Sequence, residues 1–164
     1  MNTWMADTRG MRFLLAEGVP FAVHTYQHDR KGAEFAARAL GIALERFAKT
    51  LVVEAGGEPV FVLLSGDREL SLKKAARAHD AKQAALADPR DAARLTGYLV
   101  GGISPFGSRR TLPTYIEEAL LSHGQIAINA GQRGVIVELA PLDLVRVLSA
   151  HPADLSAGPK GAAE

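Results

Sequence analysis

The stretch Lys49–Ser65, KTLVVEAGGEPVFVLLS, decides the fold. Two runs rich in valine and leucine flank Gly56-Gly57, and a Gly-Gly pair between β-forming runs is the signature of a hairpin. Val60–Leu64 is apolar without a break. A strand that lacks polar alternation has both faces covered, so this one belongs in the middle of a sheet. In its partner strand, period two puts Lys49 on the same face as Leu51 and Val53. A lysine at the end of such a face either snorkels its ammonium to water or offers a fixed cation to a phosphate or carboxylate.

Outward from the hairpin, strand and helix alternate irregularly. Asp7–Gly18 reads as a helix, with Asp7 or Thr8 as cap, Met11, Leu14 and Leu15 on one face, and a glycine stop. Pro20–Tyr26 reads as a strand and residues 33–40 as a short helix. Ser71 caps a helix over 71–79, and Asp88-Pro89 opens another that ends near Gly97. Tyr98–Arg110 is irregular, and 112–121 fits strand or helix equally. Gln125–Asn129 and Gly134–Leu139 read as strands around an AGQRG turn, and Pro141 opens a last helix. This predicts a mixed α/β domain of the α+β type over residues 1–152. The small and helix-breaking residues of 153–164 predict a flexible tail.

The 164 residues are 48% hydrophobic and 23% charged, the balance of one folded domain. No cysteine is present, which excludes disulfides, thiolate metal sites and a cysteine nucleophile. No apolar run approaches membrane-spanning length and the first residues lack a leader pattern, so the expectation is a cytoplasmic chain without membrane contact. Lys and Arg number 19 against 18 Asp and Glu. That near balance argues against DNA binding, and it makes any unaided grip on RNA local and weak.

The second unusual stretch is Gly101-Gly102-Ile103-Ser104-Pro105-Phe106-Gly107. It is not a P-loop, because no GK[ST] follows. It is not a nucleophile elbow, because Phe106 stands where that motif needs glycine. Either it is a tight structural turn, or the amides of Gly101 and Gly102 face a carbonyl oxygen. His24 and His28 lie four apart, but with Asp29 as the sole neighbouring carboxylate the expectation is no metal site. His79, His123 and His151 read as isolated, and Glu117-Glu118 as solvated. Arg109-Arg110 fits a phosphate contact or a solvated turn equally.

Lys49 and the glycine loop together resemble the YbaK/EbsC family of free-standing aminoacyl-tRNA deacylases, which is related to the editing domain of bacterial prolyl-tRNA synthetases. The matching segments are HTYQHD (24–29), KTLVV (49–53), LSLKKAARA (70–78), ADPRDAARLTGYLVGGISPFG (87–107) and GQRGVIVELAPLDLVRVL (131–148), in family order. The resemblance implies a curved, mostly antiparallel sheet or partial barrel surrounded by helices. It implies a trans-editing enzyme without a cofactor, most similar to the branch that removes cysteine mischarged on tRNA(Pro), with mischarged Cys-tRNA(Pro) and prolyl-tRNA synthetase as partners. Lys49, Gly101 and Gly102 would be catalytic, the lysine engaging the tRNA 3′ end and the glycines the aminoacyl group. Tyr26, Phe35, Thr50, Tyr98, Ile103, Ser104, Pro105 and Ile136 would form the substrate site. Ile136 departs from the acidic residue that relatives often carry, which leaves fine specificity open. In that family reading the substrate thiol attacks its own carbonyl and leaves as a thiolactone. A sister activity on Ala-tRNA(Pro) by water attack, or a non-catalytic module that binds a tRNA end, are the alternatives.

Overall fold

In the computed structural model, which describes residues 7–27 and 32–159, the expected hairpin forms. Ala55 lies opposite Glu58 and Ala48 opposite Ser65. Gly56 and Gly57 turn the chain with φ of +60° and +83°, a left-handed pair that only glycine adopts without strain. In chain order the helices are α1 (Arg9–Ala16), α2 (Ala33–Leu40), α3 (Leu72–Ala78), α4 (Pro89–Thr96) and α5 (Pro141–Leu148). The strands are β1 (Ala22–Thr25), β2 (Ala48–Ala55), β3 (Glu58–Ser65), β4 (Arg68–Leu70), β5 (Ala84–Leu86), β6 (Thr114–Glu117), β7 (Ile126–Gln132), β8 (Val135–Leu139), β9 (His151–Ala153) and β10 (Ser156–Pro159). The predicted mixed α/β fold is the one that forms.

The strands divide among three ladders, ordered β5-β2-β3-β6-β9, β1-β8-β7 and β10-β4. Pairing is antiparallel except for β3 with β6 and β6 with β9. β3 is central in the largest ladder, and Val60–Leu64 is fully buried, as its unbroken apolar run requires. One core cluster packs Leu14 of α1 and Leu144 of α5 against Ile126, Ile128 and Val137. A second lies on the opposite side of the five-stranded ladder around Val53, Val62, Leu64, Ala75 and Leu155. The caps read from sequence are made: Thr8 accepts from the Met11 N–H, Ser71 from that of Lys74 and Asp88 from that of Arg90.

Four local expectations change. The ambiguous 112–121 segment becomes β6 followed by a 3₁₀ turn over Glu118–Ser122, because parallel pairing with β3 fixes the extended form. Within the segment predicted as a tail, Ala153 ends β9 and Ser156–Pro159 form β10, and residues 160–164 lie outside the described residues. Glu117 is buried rather than solvated. Its carboxylate accepts the Leu155 N–H at 2.9 Å, and desolvation pushes its pKa up. His79 is not isolated, since its Nδ1 lies 2.6 Å from the Tyr115 hydroxyl and its Nε2 meets Glu58.

α1 crosses β7 so closely that Gly10 has no room for a side chain: a Cβ there would lie 2.3 Å from the Ala130 carbonyl oxygen. Gly10→Ala therefore destabilises the protein by about 1–3 kcal/mol, although alanine gains about 1 kcal/mol over glycine in a helix interior. Gly124→Ala meets nothing within 4 Å and stays within about 0.5 kcal/mol of wild type. Urea unfolding followed by circular dichroism measures both.

Candidate functional site

The site lies where two strand edges part. β2 pairs with β3 along its length, but on its other side β5 covers only Val53–Ala55. β7 is one edge strand of the three-stranded ladder. The two edges meet at a parallel bridge between Phe47 and Ala127. Beyond the bridge they diverge, and a cleft of about 480 Å³ fills the space. Lys49, Thr50 and Val52 form one wall, Asn129 and Ile136 the other, and Tyr26 and the first turn of α2 one end. Val100, Gly101 and Ile103 of the glycine loop complete it.

The ladder fixes which peptide groups the cleft receives. The Val52 carbonyl accepts from Ala87, and the Phe61 N–H donates to Pro113, so the opposed pair Val52–Phe61 exchanges no bonds across β2–β3. Alternation in an antiparallel ladder makes Thr50–Leu63 the next such pair. The Thr50 N–H and C=O therefore point away from β3, toward the open edge. The Thr50 hydroxyl oxygen is buried and has no hydrogen-bond partner among the described residues. Lys49 is half-buried, and its Nζ donates to the Arg68 carbonyl at 2.8 Å, which holds the ammonium at the end of the wall.

The glycine loop divides the residues that the sequence grouped. Gly101 lines the cleft with a φ of +94°. Gly102 does not: its N–H donates to the Leu99 carbonyl at 2.9 Å within the loop. A Cβ on Gly102 would lie 2.9 Å from the Arg133 nitrogen, so that glycine serves close packing rather than donation. Ser104 is fully buried and its Oγ accepts from the Phe106 N–H, so it faces the inside of the loop rather than the cleft. Tyr98 is also buried. Its hydroxyl donates to the Phe106 carbonyl and its ring lies under the Arg9 guanidinium, so it supports the loop from behind. Pro105 lines a different cavity, and Phe35 packs its ring at a tilt against Tyr26, centroids 5.9 Å apart, outside the lining. Arg109 and Arg110 are exposed and outside the lining. Tyr26, Lys49, Thr50, Gly101, Ile103 and Ile136 are the expected residues that converge.

Asn129 is the residue that sequence reasoning missed. Its Oδ1 accepts from the amides of Gly131 and Gln132 at 2.7 and 3.1 Å, and its Nδ2 donates to the Gly101 carbonyl at 3.3 Å. It ties the loop to β7 where the β7–β8 register shifts. The available signal was an asparagine two residues before a turn glycine, the pattern of an Asx turn.

A charged clamp fixes the junction. Glu138 on β8 accepts from Arg46, just before β2, and from His24 on β1 at 2.7 Å. His24 is thus engaged with a carboxylate, while His28 and Asp29 lie outside the described residues. Burial pushes the Tyr26 hydroxyl up, an effect opposed by Gly134 and by the Arg133 charge.

Fold and site together define a mixed α/β domain with a small cleft between two strand edges and a glycine loop at its side. The model of the aminoacyl-tRNA editing domain matches residues 28–147. EbsC of Enterococcus faecalis, named as a proposed Cys-tRNA(Pro)/Cys-tRNA(Cys) deacylase, is 34% identical over 152 residues, 91% of this chain and 93% of that protein. The proline–tRNA ligase of Acidithiobacillus ferrooxidans is 34% identical over 94 residues, 57% of this chain and 16% of the ligase. A crystal structure described as a proposed trans-editing enzyme for prolyl-tRNA synthetase superposes with a TM-score of 0.84 at 28% identity, over 92% of this chain and 96% of that one. The chain belongs to the aminoacyl-tRNA editing domain family. No helix among the described residues is long and apolar enough to cross a membrane.

The Arg46 hydrogen bond is the main cause that holds the Glu138 carboxyl below its ordinary value of 4.5, with His24 adding to it against burial. The ionised clamp therefore contributes stability above pH 4.5 and loses it as pH falls through the lower native value. Glu138→Gln should lower stability at pH 7 by about 1–3 kcal/mol. The gap to wild type should close as the pH falls below the native value of Glu138. Thermal unfolding across pH measures it.

Proposed function

We propose that this chain is a trans-editing deacylase that clears cysteine from Cys-tRNA(Pro), with the substrate's own thiol as the attacking group. The observation that carries this reading is the described lining of the cleft. It offers the Thr50 peptide group, the Tyr26 side chain and a held ammonium, but among the described residues no histidine or carboxylate to act as a general base. The names of EbsC and of the trans-editing neighbour support the substrate class.

In the proposed step the cysteine sulfur attacks the ester carbonyl carbon. A C–S bond forms, the bond from the carbonyl to the ribose oxygen breaks, and the thiol proton ends on that ribose oxygen. The products are deacylated tRNA and a thiolactone that water opens. The protein contributes placement, for which effective molarities reach about 10⁵–10⁸ M. The Thr50 N–H and the Gly101 amide are the donors for the developing oxyanion, each worth about 3 kcal/mol when well aimed. Gly102 has no part in this, because its amide is spent inside the loop. Lys49 holds the acceptor end beside the strand edge. Ile136 presents an apolar wall, which suits a small neutral side chain. The formal net charge of +1 fits a protein that gains tRNA affinity through prolyl-tRNA synthetase.

The test compares cleavage of Cys-tRNA(Pro) and Ala-tRNA(Pro) by wild type and Lys49→Ala. Wild type should cleave the cysteinyl ester at least about 10²-fold faster than the alanyl ester. Lys49→Ala should lose about 10²-fold or more in kcat/KM with its unfolding midpoint retained. Comparable cleavage of the alanyl ester would transfer the attack to water, and cleavage of neither would leave a tRNA-end binding module.

A further inference from the structure

A second cavity, of about 430 Å³, lies on the far side of the glycine loop, lined by Leu99, Val100, Gly102, Gln132 and Arg133 among others. It shares Val100 with the cleft, and the Gly101-Gly102 peptide separates the two. Arg133 is half-buried, and its guanidinium lies against Gly101: a Cβ there would sit 2.9 Å from both Nε and Nη2. It makes no hydrogen bond or ion pair with any described residue. Arg46, Arg94 and Arg146 each meet a carboxylate. A half-buried guanidinium without a counter-ion among the described residues is a planar fork of donors suited to phosphate oxygens. Beside it the Leu99 side chain is 81% exposed and Val100 43%, an apolar ledge between the two cavities. Exposed aliphatic groups next to a guanidinium match the alternation of base face and phosphate in single-stranded RNA.

We propose that this second cavity is the subsite for the nucleotide preceding the terminal adenosine of the acceptor end, with Arg133 on the connecting phosphodiester and Leu99 and Val100 against the base. The inference rests on the editing reading, which places the aminoacyl ester in the cleft. From there the RNA strand must leave past the loop, and Val100 is the wall that both spaces share. Because the whole chain is nearly neutral, one well-placed cation carries a large share of the phosphate contacts.

The experiment pairs two esters, Cys-tRNA(Pro) and cysteinyl-adenosine, which lacks the phosphodiester. Arg133→Gln should lose about tenfold in kcat/KM on the tRNA, mainly through KM, but no more than about twofold on the nucleoside ester. Its salt dependence on tRNA should be shallower by about 0.7 in the log–log slope. Arg133→Lys, which keeps the charge but not the fork, should fall between. Equal losses on both esters would mean that Arg133 merely supports Gly101, and no loss on either would also overturn the subsite. A binding arm separates this outcome from failure of the editing reading. Anisotropy with a labelled, uncharged-with-amino-acid RNA ending in CCA should show at least about fivefold weaker binding for Arg133→Gln, and a shallower salt slope, whether or not wild type cleaves any ester. Unchanged binding overturns the proposal.

Discussion

The site depends on one contact between two ladders, the parallel bridge from Phe47 to Ala127. It joins the start of β2 to an edge strand of the other ladder, and the divergence that follows creates the cleft. Glu138 secures the joint by holding Arg46 ahead of β2 and His24 on β1 at once. Phe47, Ala127 and Ile136 then pack with Ala36 and Ala37 of α2 over the same junction. A carboxylate, an apolar cluster and a backbone bridge thus act on one point, so β2 cannot shift in register without breaking all three.

A strand edge is ordinarily a hazard, because its unpaired peptide groups invite another strand. Here the exposed portion of β2 is short, bounded by the bridge at one end and by β5 at the other. It is also walled by the glycine loop. What remains unpaired is the Thr50 peptide group, which makes the edge a short, rigid polar site instead of a pairing surface. Rigidity comes from the sheet on one side and from Asn129 on the other, since Asn129 fixes the Gly101 carbonyl to the β7 bulge. Donors held this way need no reorganisation when charge develops on a bound group.

Much of this was readable locally. The Gly-Gly hairpin, the buried run of β3 and the capped helices each depend on neighbours within a few residues, which is the range over which pattern and propensity act. Lys49 and Gly101 were visible as a motif. Direction within the glycine loop was not. Gly101 and Gly102 are adjacent, yet one faces the cleft and the other turns its amide back on Leu99, because the loop folds on itself. Ser104 is sealed for the same reason. The remaining misses are matters of distant pairing. Nothing near Glu117 in sequence announces that Leu155 will donate to it. The segment that supplies β9 and β10 has the composition of a loop until β4 and β6 give it partners.

That late pairing sets an order on synthesis. Every described residue lining the cleft lies between Tyr26 and Ile136, so these parts of the cleft have all been made before the last strands leave the ribosome. The outer edge of β6, the Glu117 carboxylate and β4 must wait for residues 151–159 to be released. During that interval a nearly finished domain carries its whole binding surface and still exposes an unpaired parallel edge. The hazard of interrupting translation in this gene after α5 is therefore association between nascent chains rather than loss of the cleft.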